Sequence, residues 1–318
     1  MFGRNHARVY HQLAQQGVPV KLEIIVDPDV ARADAVAREF GARAIGSVEQ
    51  LIHTRGDIQA ASVVVPTVAH MEIARKLMEA GIDVLIEKPV TPSLAEADEL
   101  IRLARQLGRV AQVGHLERFN PAVRATVPLI TRPMFFEVHR LSVFTPRSLD
   151  IDVILDLMIH DLDIVLSMVN SPVKEIRAVG LPILSGKVDI ANVRLEFESG
   201  CIANFTASRV STERVRKLRF FQPRQYVSLD YGRQEVLVFT VGADGAGGTP
   251  TVNPQIGVNK LPVASEEPLH AELKSFLKAV RERSTPVVSL EDGRRALGLA
   301  LEIVAAIREH GKKVGLKN

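Results

Sequence analysis

The amino-acid sequence predicts an α/β Rossmann-like parallel sheet followed by an α+β domain with an open, mainly antiparallel sheet. Between residues 20 and 114, short β-branched apolar runs alternate with amphipathic helical stretches, which is typical of βαβ units. From about residue 115, strand-like runs follow one another without regular helices between them, which is typical of an antiparallel sheet. We therefore expect one domain at 1–117 and a second at 118–318.

The elements of the first domain follow from the spacing of its apolar residues. Gly41 and Gly81 follow two of the helical runs, where glycine commonly ends a helix. Pro66 follows a strand-like run and ends it. The expected strands are 22–26, 60–65, 84–86 and 110–113, and the expected helices are 4–16, 30–40, 69–80 and 94–107.

The second domain is predicted to contain five strands. A helix at 151–168 lies between the first two, and two further helices, 268–282 and 290–310, end the chain. Residues 241–261 are rich in Gly, Pro and Thr and predict a long loop. The expected strands are 134–143, 175–179, 192–197, 202–208 and 217–221.

Composition and charge exclude several classes of protein. The chain has 318 residues, of which 46% are hydrophobic and 24% charged, as in soluble globular proteins. Residues 1–10 lack the apolar stretch of a secretory signal, and the single cysteine, Cys201, forms no internal disulfide, so we expect a cytoplasmic location. The net charge of +3 is too small to indicate nucleic acid and suits an anionic small molecule. The most apolar stretch, 153–169, is too polar to cross a membrane because it contains Asp156, His160, Asp161 and Asp163.

The first residues resemble the end of a dinucleotide-binding turn. Gly3 precedes a helical run, as does the third glycine of a GxGxxG turn, where the helix N-terminus faces the pyrophosphate. Asp27 ends the next strand, where an acidic residue binds the adenosine ribose. The alternative is that Asp27 and Pro28 only form a turn after a strand.

A strand and two glycines are expected ahead of Gly3, and the sequence does not contain them. Two explanations are open: the start codon has been placed too late in the gene, or the chain is truly shorter and binds its cofactor less well. The retained Asp27 favours the first. The DNA upstream of Met1 tests it, because that DNA should encode an in-frame strand ending in glycines.

A charged pair ends the strand predicted at 84–86. Glu87 and Lys88, followed by Pro89, lie at the carboxyl end of a parallel strand, the edge at which α/β sheets bind ligands. A lysine there can approach both a nicotinamide ring and a substrate hydroxyl. The alternative is a surface salt bridge before a proline turn.

In their order and spacing, these motifs resemble the Gfo/Idh/MocA oxidoreductase family over nearly the whole chain. The family is named for glucose-fructose oxidoreductase and inositol dehydrogenase. The residues that carry the resemblance are Gly3-Arg4-Asn5-His6, Val26-Asp27-Pro28, Pro66-Thr67 with His70, Glu87-Lys88-Pro89, Gly114-His115, Arg118-Phe119-Asn120-Pro121, and Asp156 with His160.

The resemblance implies a dehydrogenase that uses NAD, rather than NADP, to oxidise a sugar hydroxyl. Lys88 matches a lysine that contacts substrate and cofactor and is assigned acid/base work. Asp156 and His160 match a pair whose histidine is the candidate general base. The motifs place cofactor-binding residues at Phe2, Gly3, Asp27, Pro66, Thr67, His70, Glu87 and Lys88, substrate-binding residues at His115, Arg118 and Asn120, and no metal ligand.

The chemistry of these residue types agrees with the implied roles. Asp156 and His160 are i and i+4 on a predicted helix, so both side chains project from one face. A carboxylate beside an imidazole raises its pKa, and a histidine poised near neutrality can take the proton of an alcohol as hydride leaves the carbon. Lys88 can share that task or stabilise the developing alkoxide. We therefore expect Lys88 and His160 to converge on one cavity beside the nicotinamide.

Other interpretations of the same residues stay open. His160 also fits a core histidine, which is the commoner role of a lone histidine on an apolar helix. Together with Asp156 and Asp163 it also suggests a metal site, although the helix offers no further ligands. Arg118 and Asn120 are candidates for capping the linker between the domains instead of binding substrate.

Residues 113–123 are most similar to bacterial family members that oxidise the 3-hydroxyl of a nucleotide-linked N-acetylglucosamine for lipid A or other surface-polysaccharide synthesis. A sugar or nucleotide-sugar substrate is therefore expected. The alternatives are a dehydrogenase of a free sugar or inositol and a non-catalytic cofactor-binding regulator. The resemblance also implies a homodimer or homotetramer, because open sheets of this family commonly pack face to face. Asp27 would repel the 2′-phosphate of NADP, although Arg32 is close in sequence.

Overall fold

The structure, a computed structural model, forms two compact units that are described in turn. The first unit comprises Met1–Phe119 and Glu267–Leu297, and the second comprises Asn120–Glu266 and Gly298–Asn318. The structure describes residues 2–54, 57–146, 149–242 and 256–315.

The first unit alternates helices and parallel strands, which confirms the predicted Rossmann-like domain. A 3-10 turn, Thr67–Ala69, precedes α4, and another, Leu116–Phe119, follows β5. The elements are α1 Phe2–Gln15, β1 Ile24–Val26, α2 Val30–Phe40, β2 Arg43–Ile45, α3 Val48–Thr54, β3 Ala60–Val63, α4 His70–Glu79, β4 Asp83–Glu87, α5 Leu94–Leu107 and β5 Ala111–Gly114.

Local capping fixes α2 and α5 at the bounds that the sequence predicts. Asp29 caps the start of α2, where its carboxylate accepts a hydrogen bond from the amide of Arg32 at 3.1 Å. Ser93 caps α5 in the same way. Gly41 and Gly108 end the two helices at φ values of 71° and 60°, a left-handed conformation that glycine adopts without strain.

The parallel strands of the first unit form two sheets. β1 pairs with β2, and β3, β4 and β5 form a three-stranded sheet in that order. β1 and β3 do not pair with each other in the described part of the chain. A doubly wound sheet has the strand order 3-2-1-4-5-6, so this arrangement matches such a sheet without its central strand. The strand expected ahead of Gly3 would occupy that central position.

β2 and α3 were not predicted from the sequence. β2 has only three residues, and α3 has seven, of which Leu51 alone is buried. Segments this short contain too few apolar positions to show a period of two or of 3.6 residues.

The second unit contains an eight-stranded sheet, which confirms the predicted open and mainly antiparallel architecture. Its strand order is β13-β12-β11-β10-β6-β9-β8-β7, and among its described strands only the β6–β9 pair is parallel. The strands are β6 Phe135–Val143, β7 Val173–Leu181, β8 Ile190–Phe197, β9 Ile202–Ser211, β10 Val215–Gln222, β11 Gln225–Asp230, β12 Glu235–Val241 and β13 Ile256–Lys260.

Two expectations for this unit were wrong. The long loop predicted at 241–261 contains β13, and its residues 243–255 lie outside the described residues. Every side chain of β13 is exposed, so this edge strand has no alternation of buried and exposed residues. β11 and β12 were also missed, although both alternate.

Four α-helices follow β5 in the described part of the chain. α6, Pro121–Thr126, opens the second unit, and α7, Ile159–Met168, follows a π-helical turn at Ile154–Met158. The regular helix predicted at 151–168 therefore begins with a wider turn. α8, Pro268–Glu282, belongs to the first unit, and α9, Leu290–Lys313, contributes to both units.

α1 and α8 pack on β4 and form a core of the first unit. Leu85 of β4 belongs to one buried apolar cluster with side chains of both helices. The buried members of this cluster are Val9, Leu13, Leu85, Val110, Leu269, Leu273, Phe276 and Ala279. No described helix has the length and apolar character that crossing a membrane would need.

Candidate active site

The Glu87 carboxylate is fixed at the carboxyl end of β4. It is 7% exposed, and one oxygen lies 3.1 Å from Nε2 of His6 while the other accepts a hydrogen bond of 3.3 Å from the backbone amide of Lys88. Gly114 is the register partner of Glu87, and a Cβ atom there would lie 2.7 Å from the carboxylate. Glycine is therefore required at 114, because a larger residue would displace Glu87.

Lys88 follows this fixed residue at the sheet edge where ligands bind in α/β folds. Its side chain is half-buried, and the Lys88–Pro89 peptide bond is cis. His70 holds the turn from the other side, because its Nδ1 lies 2.9 Å from the carbonyl oxygen of Pro89 and its Nε2 lies 3.0 Å from that of Val65. His70, which the resemblance placed near the nicotinamide, thus ties the end of β3 to the turn that carries Lys88.

Asp27 lies directly after β1, again at a carboxyl end. One of its oxygens accepts a hydrogen bond of 2.9 Å from the amide of Asp29, and the other lies 3.5 Å from the guanidinium of Arg32. The side chain of Arg32 is 62% exposed and that of Asp27 is 26% exposed. The carboxylate is therefore accessible to a ribose, and a cation lies beside it.

The remaining predicted cofactor residues occupy the same end of the first unit or the start of α1. Pro66 is exposed and precedes the 3-10 turn that contains the half-buried Thr67. Phe2 opens α1 and packs edge-on against His6, with ring centroids 5.1 Å apart. Gly3 follows it in the first turn of α1, where a Cβ atom added to the glycine would lie 3.9 Å from Cβ of Val64.

His115 follows β5 and is 1% exposed. Burial, together with the positive charges of Lys88 and Arg118, lowers the pKa of its imidazole to about 3. Arg118 itself lies 3.6 Å from a carboxylate oxygen of Asp292. A neutral imidazole with so low a pKa can exchange hydrogen bonds with a substrate, but it is too weak a base to hold a proton near pH 7.

We expect His115 to make the protein sensitive to acid. The unfolded chain binds a proton at this residue below its ordinary pKa of 6.5, whereas the folded chain does not until about 3, so stability falls as pH falls through that window. Within that window, each unit by which the pH falls should raise the unfolding constant roughly tenfold. Urea unfolding of the wild type and of His115→Asn between about pH 7 and pH 5 measures this slope. Parallel slopes in the two proteins would show that His115 titrates normally.

In the second unit, Asp156 and His160 lie on successive turns around the start of α7. Asp156 is half-buried in the π-helical turn, and His160 is 9% exposed in α7. The next residue, Asp161, forms two hydrogen bonds of 2.6 and 2.9 Å with the guanidinium of Arg140. Arg140 points to the buried face of β6, so this pair fixes α7, and with it His160, against the sheet.

Asn120 has a structural role in the second unit. Its side-chain oxygen accepts a hydrogen bond of 3.1 Å from the amide of Ala122 and caps α6, while its NH₂ group donates to the carbonyl of Tyr231 at 3.1 Å. The ring of Tyr231 lies 5.3 Å from the guanidinium carbon of Arg140. These contacts support the capping alternative for Asn120, and its contact with substrate stays a prediction.

The structure thus groups the predicted residues by unit. The strand ends of the first unit carry Asp27, Thr67, Lys88 and His115, whereas Asp156 and His160 lie in the second unit. That Lys88 and His160 serve one substrate stays a prediction. In the described part of the chain, no three His, Cys, Asp or Glu side chains come together as metal ligands.

Three structural features near the candidate site were not predicted from the sequence. The His6–Glu87 contact joins residues 81 positions apart, and the Arg140–Asp161 pair joins residues 21 positions apart. Contacts between residues so far apart in the sequence cannot be predicted without the fold. The third is Glu272, which had a signal in the sequence, because it interrupts the apolar stripe of α8 one turn from Leu269 and Phe276.

Parallel strands with an acidic residue after β1 and a lysine after β4, in a chain that also forms a large, mainly antiparallel sheet, are features of nicotinamide-dependent oxidoreductases. Residues 1–115 match the Gfo/Idh/MocA oxidoreductase family with its NAD-binding Rossmann fold, and residues 131–226 match the C-terminal domain of that family. The chain belongs to the Gfo/Idh/MocA family. The family, the NAD-binding domain and the oxidoreductase class predicted from the sequence are thereby confirmed.

Relatives with assigned activities include sugar and inositol dehydrogenases. The chain is 36% identical over 306 residues to UDP-N-acetylglucosamine 3-dehydrogenase of Acidithiobacillus ferrooxidans, covering 96% of this chain and 94% of that protein. It is 29% identical over 206 residues, 60% of each chain, to the NAD-dependent scyllo-inositol 2-dehydrogenase of Bacillus subtilis.

Solved structures show the same fold. A crystal form of the Acidithiobacillus ferrooxidans enzyme has a TM-score of 0.87 and 34% identity, covering 96% of this chain and 94% of that one. Levoglucosan dehydrogenase in complex with NADH and L-sorbose has a TM-score of 0.83 and 17% identity, covering 97% and 94%, and shows the fold alone.

Proposed function

We propose that this protein uses NAD to oxidise the 3-hydroxyl of UDP-N-acetylglucosamine to a 3-keto sugar. The observation that carries the proposal is the 36% identity, across 96% of the chain, to an enzyme with that name. The keto sugar is a substrate for later transamination, in lipid A or other surface-polysaccharide synthesis. We further propose a cytoplasmic homodimer or homotetramer.

The residues of the first unit fit the cofactor. The accessible carboxylate of Asp27 matches the hydroxyls of the adenosine ribose. The first turn of α1 contains no acidic residue, so its N-terminal amides suit the pyrophosphate. Thr67, Glu87 and Lys88 would lie at the nicotinamide half. When bound, NAD supplies the acceptor for the hydride that leaves the sugar carbon.

The protein's own residues manage the proton of the same hydroxyl. We assign its removal to His160, with Asp156 orienting the imidazole as the carboxylate of the pair. Lys88 donates hydrogen bonds to the hydroxyl oxygen and stabilises the negative charge that develops there. The neutral imidazole of His115 takes no part in holding the proton, because its pKa is about 3.

A substrate panel tests the proposal. The purified protein is mixed with NAD and, in separate reactions, with UDP-N-acetylglucosamine, free N-acetylglucosamine or myo-inositol, and NADH is followed by its absorbance. NADH formation with the nucleotide sugar, and a keto group at its C3 by mass spectrometry after reduction with borodeuteride, is the expected result. Turnover of inositol without turnover of the nucleotide sugar would contradict it and favour the inositol dehydrogenases.

Asp27 is expected to set the preference for NAD. Its replacement by serine removes a charged hydrogen-bond acceptor from the ribose and the repulsion of a 2′-phosphate, while Arg32 remains. We expect Asp27→Ser to raise the Kd of NADH by roughly 10- to 100-fold. The ratio of the Kd of NADPH to the Kd of NADH should therefore fall, or drop below one. Titrations followed by nicotinamide fluorescence measure both constants, with Asp34→Ser of α2 as the control. An unchanged ratio of the two constants would remove Asp27 from the ribose site.

A further inference from the structure

The buried carboxyl group of Glu272 is not used by the proposed reaction. Glu272 lies in α8 and is 0% exposed, and neither of its oxygens has a hydrogen-bond partner among the described residues. An ionised carboxylate in such surroundings would lose its hydration without compensation. A neutral carboxylic acid loses far less, and burial raises the pKa of Glu272 well above its usual range.

The packing of α8 directs Glu272 toward the strand that carries Glu87. Leu269, Leu273 and Phe276 of α8 belong to the same buried apolar cluster as Leu85 of β4, and position 272 lies on the same stripe of the helix. Glu87 is two residues beyond Leu85, so its side chain leaves β4 on the same face. The negative charge of Glu87 accordingly adds to burial in raising the pKa of Glu272.

Few groups on this face can supply a proton or a charge. α1 contributes His6, which contacts Glu87 at 3.1 Å, and Tyr10, whose hydroxyl lies 2.8 Å from that of Ser62 and whose pKa burial raises. β5 contributes the neutral amide of Gln112, in register with Leu85. At the carboxyl end, the charges of Glu87 and Lys88 reach the imidazole of His115.

We propose that Glu272 is a positioning residue, a neutral acid that limits its pair with Glu87 to one negative charge and so keeps Glu87 aligned to hold Lys88. With one charge, Glu87 retains its contacts with His6 and with the amide of Lys88. A second charge would repel the first inside a dry site and displace Glu87. The proposal rests on the proposed function, since Glu272 affects the reaction only through Glu87 and Lys88.

The first experiment measures protonation without using activity. Glu272→Gln has the shape of the neutral acid and no proton to lose. In the wild type, the folded chain keeps a proton that the unfolded chain releases above about pH 4.3, so stability falls as pH rises. Between about pH 6 and pH 8, the ratio of the wild-type to the variant unfolding constant should rise roughly tenfold per pH unit. A constant ratio would overturn the neutral acid.

The second experiment measures positioning. We expect Glu272→Gln to keep kcat at pH 7 within roughly threefold of the wild type. The wild-type kcat should decline at alkaline pH, where Glu272 ionises and repels Glu87, and Glu272→Gln should lack this decline. Glu272→Ala, which leaves Glu87 without its neighbour, should lower kcat more than tenfold with little change in the KM of the sugar. A Gln variant as inactive as the Ala variant, or an Ala variant as active as the wild type, would overturn the role. If the wild type oxidises no nucleotide sugar, the proposed function fails while the unfolding experiment still decides the state of Glu272.

Discussion

Replacing Lys88 by alanine is expected to lower kcat with UDP-N-acetylglucosamine by roughly 10²- to 10⁴-fold, the usual contribution of a group that assists proton transfer or stabilises developing charge. The fold should be retained, because the side chain is only half-buried and lies outside the cores of the unit. Steady-state NADH formation measures kcat, and urea unfolding measures stability. Lys278→Ala, an exposed position on α8, is the matched control and should behave as the wild type.

His160→Ala is expected to lower kcat as much as Lys88→Ala does, because the imidazole is the proposed acceptor of the hydroxyl proton. The exposed His53 provides the control for removing a histidine. Wild-type rates in both Lys88→Ala and His160→Ala would exclude catalysis by these groups and would favour a cofactor-binding regulator.

Replacing Arg140 by methionine is expected to destabilise the protein by about 3–5 kcal/mol, because it leaves the carboxylate of Asp161 as an uncompensated buried charge. Arg140 and Asp161 are 3% and 2% exposed, and their two hydrogen bonds are short and bidentate. Chemical denaturation of the variant and the wild type at pH 7 measures the loss. The kcat should fall as well, since His160 directly precedes Asp161 in α7.

A surface pair in the same sheet provides the control for this variant. Arg219 lies 3.3 Å from Glu137, but its side chain is 43% exposed, so Arg219→Met should cost less than about 1 kcal/mol. Combining Arg140→Met with Asp161→Leu should recover much of the lost stability, because both charges are then gone. A double variant as unstable as Arg140→Met alone would mean that packing, and not the unpaired carboxylate, causes the loss.

Local signals in the sequence account for the parts of the fold that were predicted well. Asp29 with Gly41, and Ser93 with Gly108, bracket α2 and α5, because capping depends on residues adjacent in sequence. β13 carries no such signal. It is an edge strand, and its pairing with β12 depends on the rest of the sheet. Because the surrounding sequence is rich in Gly and Pro, the segment was predicted to be a loop.

The candidate site was predicted where it depends on strand ends and missed where it depends on packing between distant segments. Asp27, Lys88 and His115 each follow a parallel strand, and the carboxyl edge of such a sheet is a position that sequence periodicity locates. The Glu87–His6 contact and the Arg140–Asp161 pair require the relative placement of two elements. Burial of Glu272 likewise depends on which face of α8 meets β4.

We propose that Lys88 and His160 act on one substrate molecule, and a double variant tests this proposal most directly. Groups that act as a unit in catalysis give losses that are far from additive. We expect kcat of Lys88→Ala/His160→Ala with UDP-N-acetylglucosamine to be close to that of the slower single variant. A double variant whose loss equals the product of the two single losses would show that the two residues act independently and would contradict the claim.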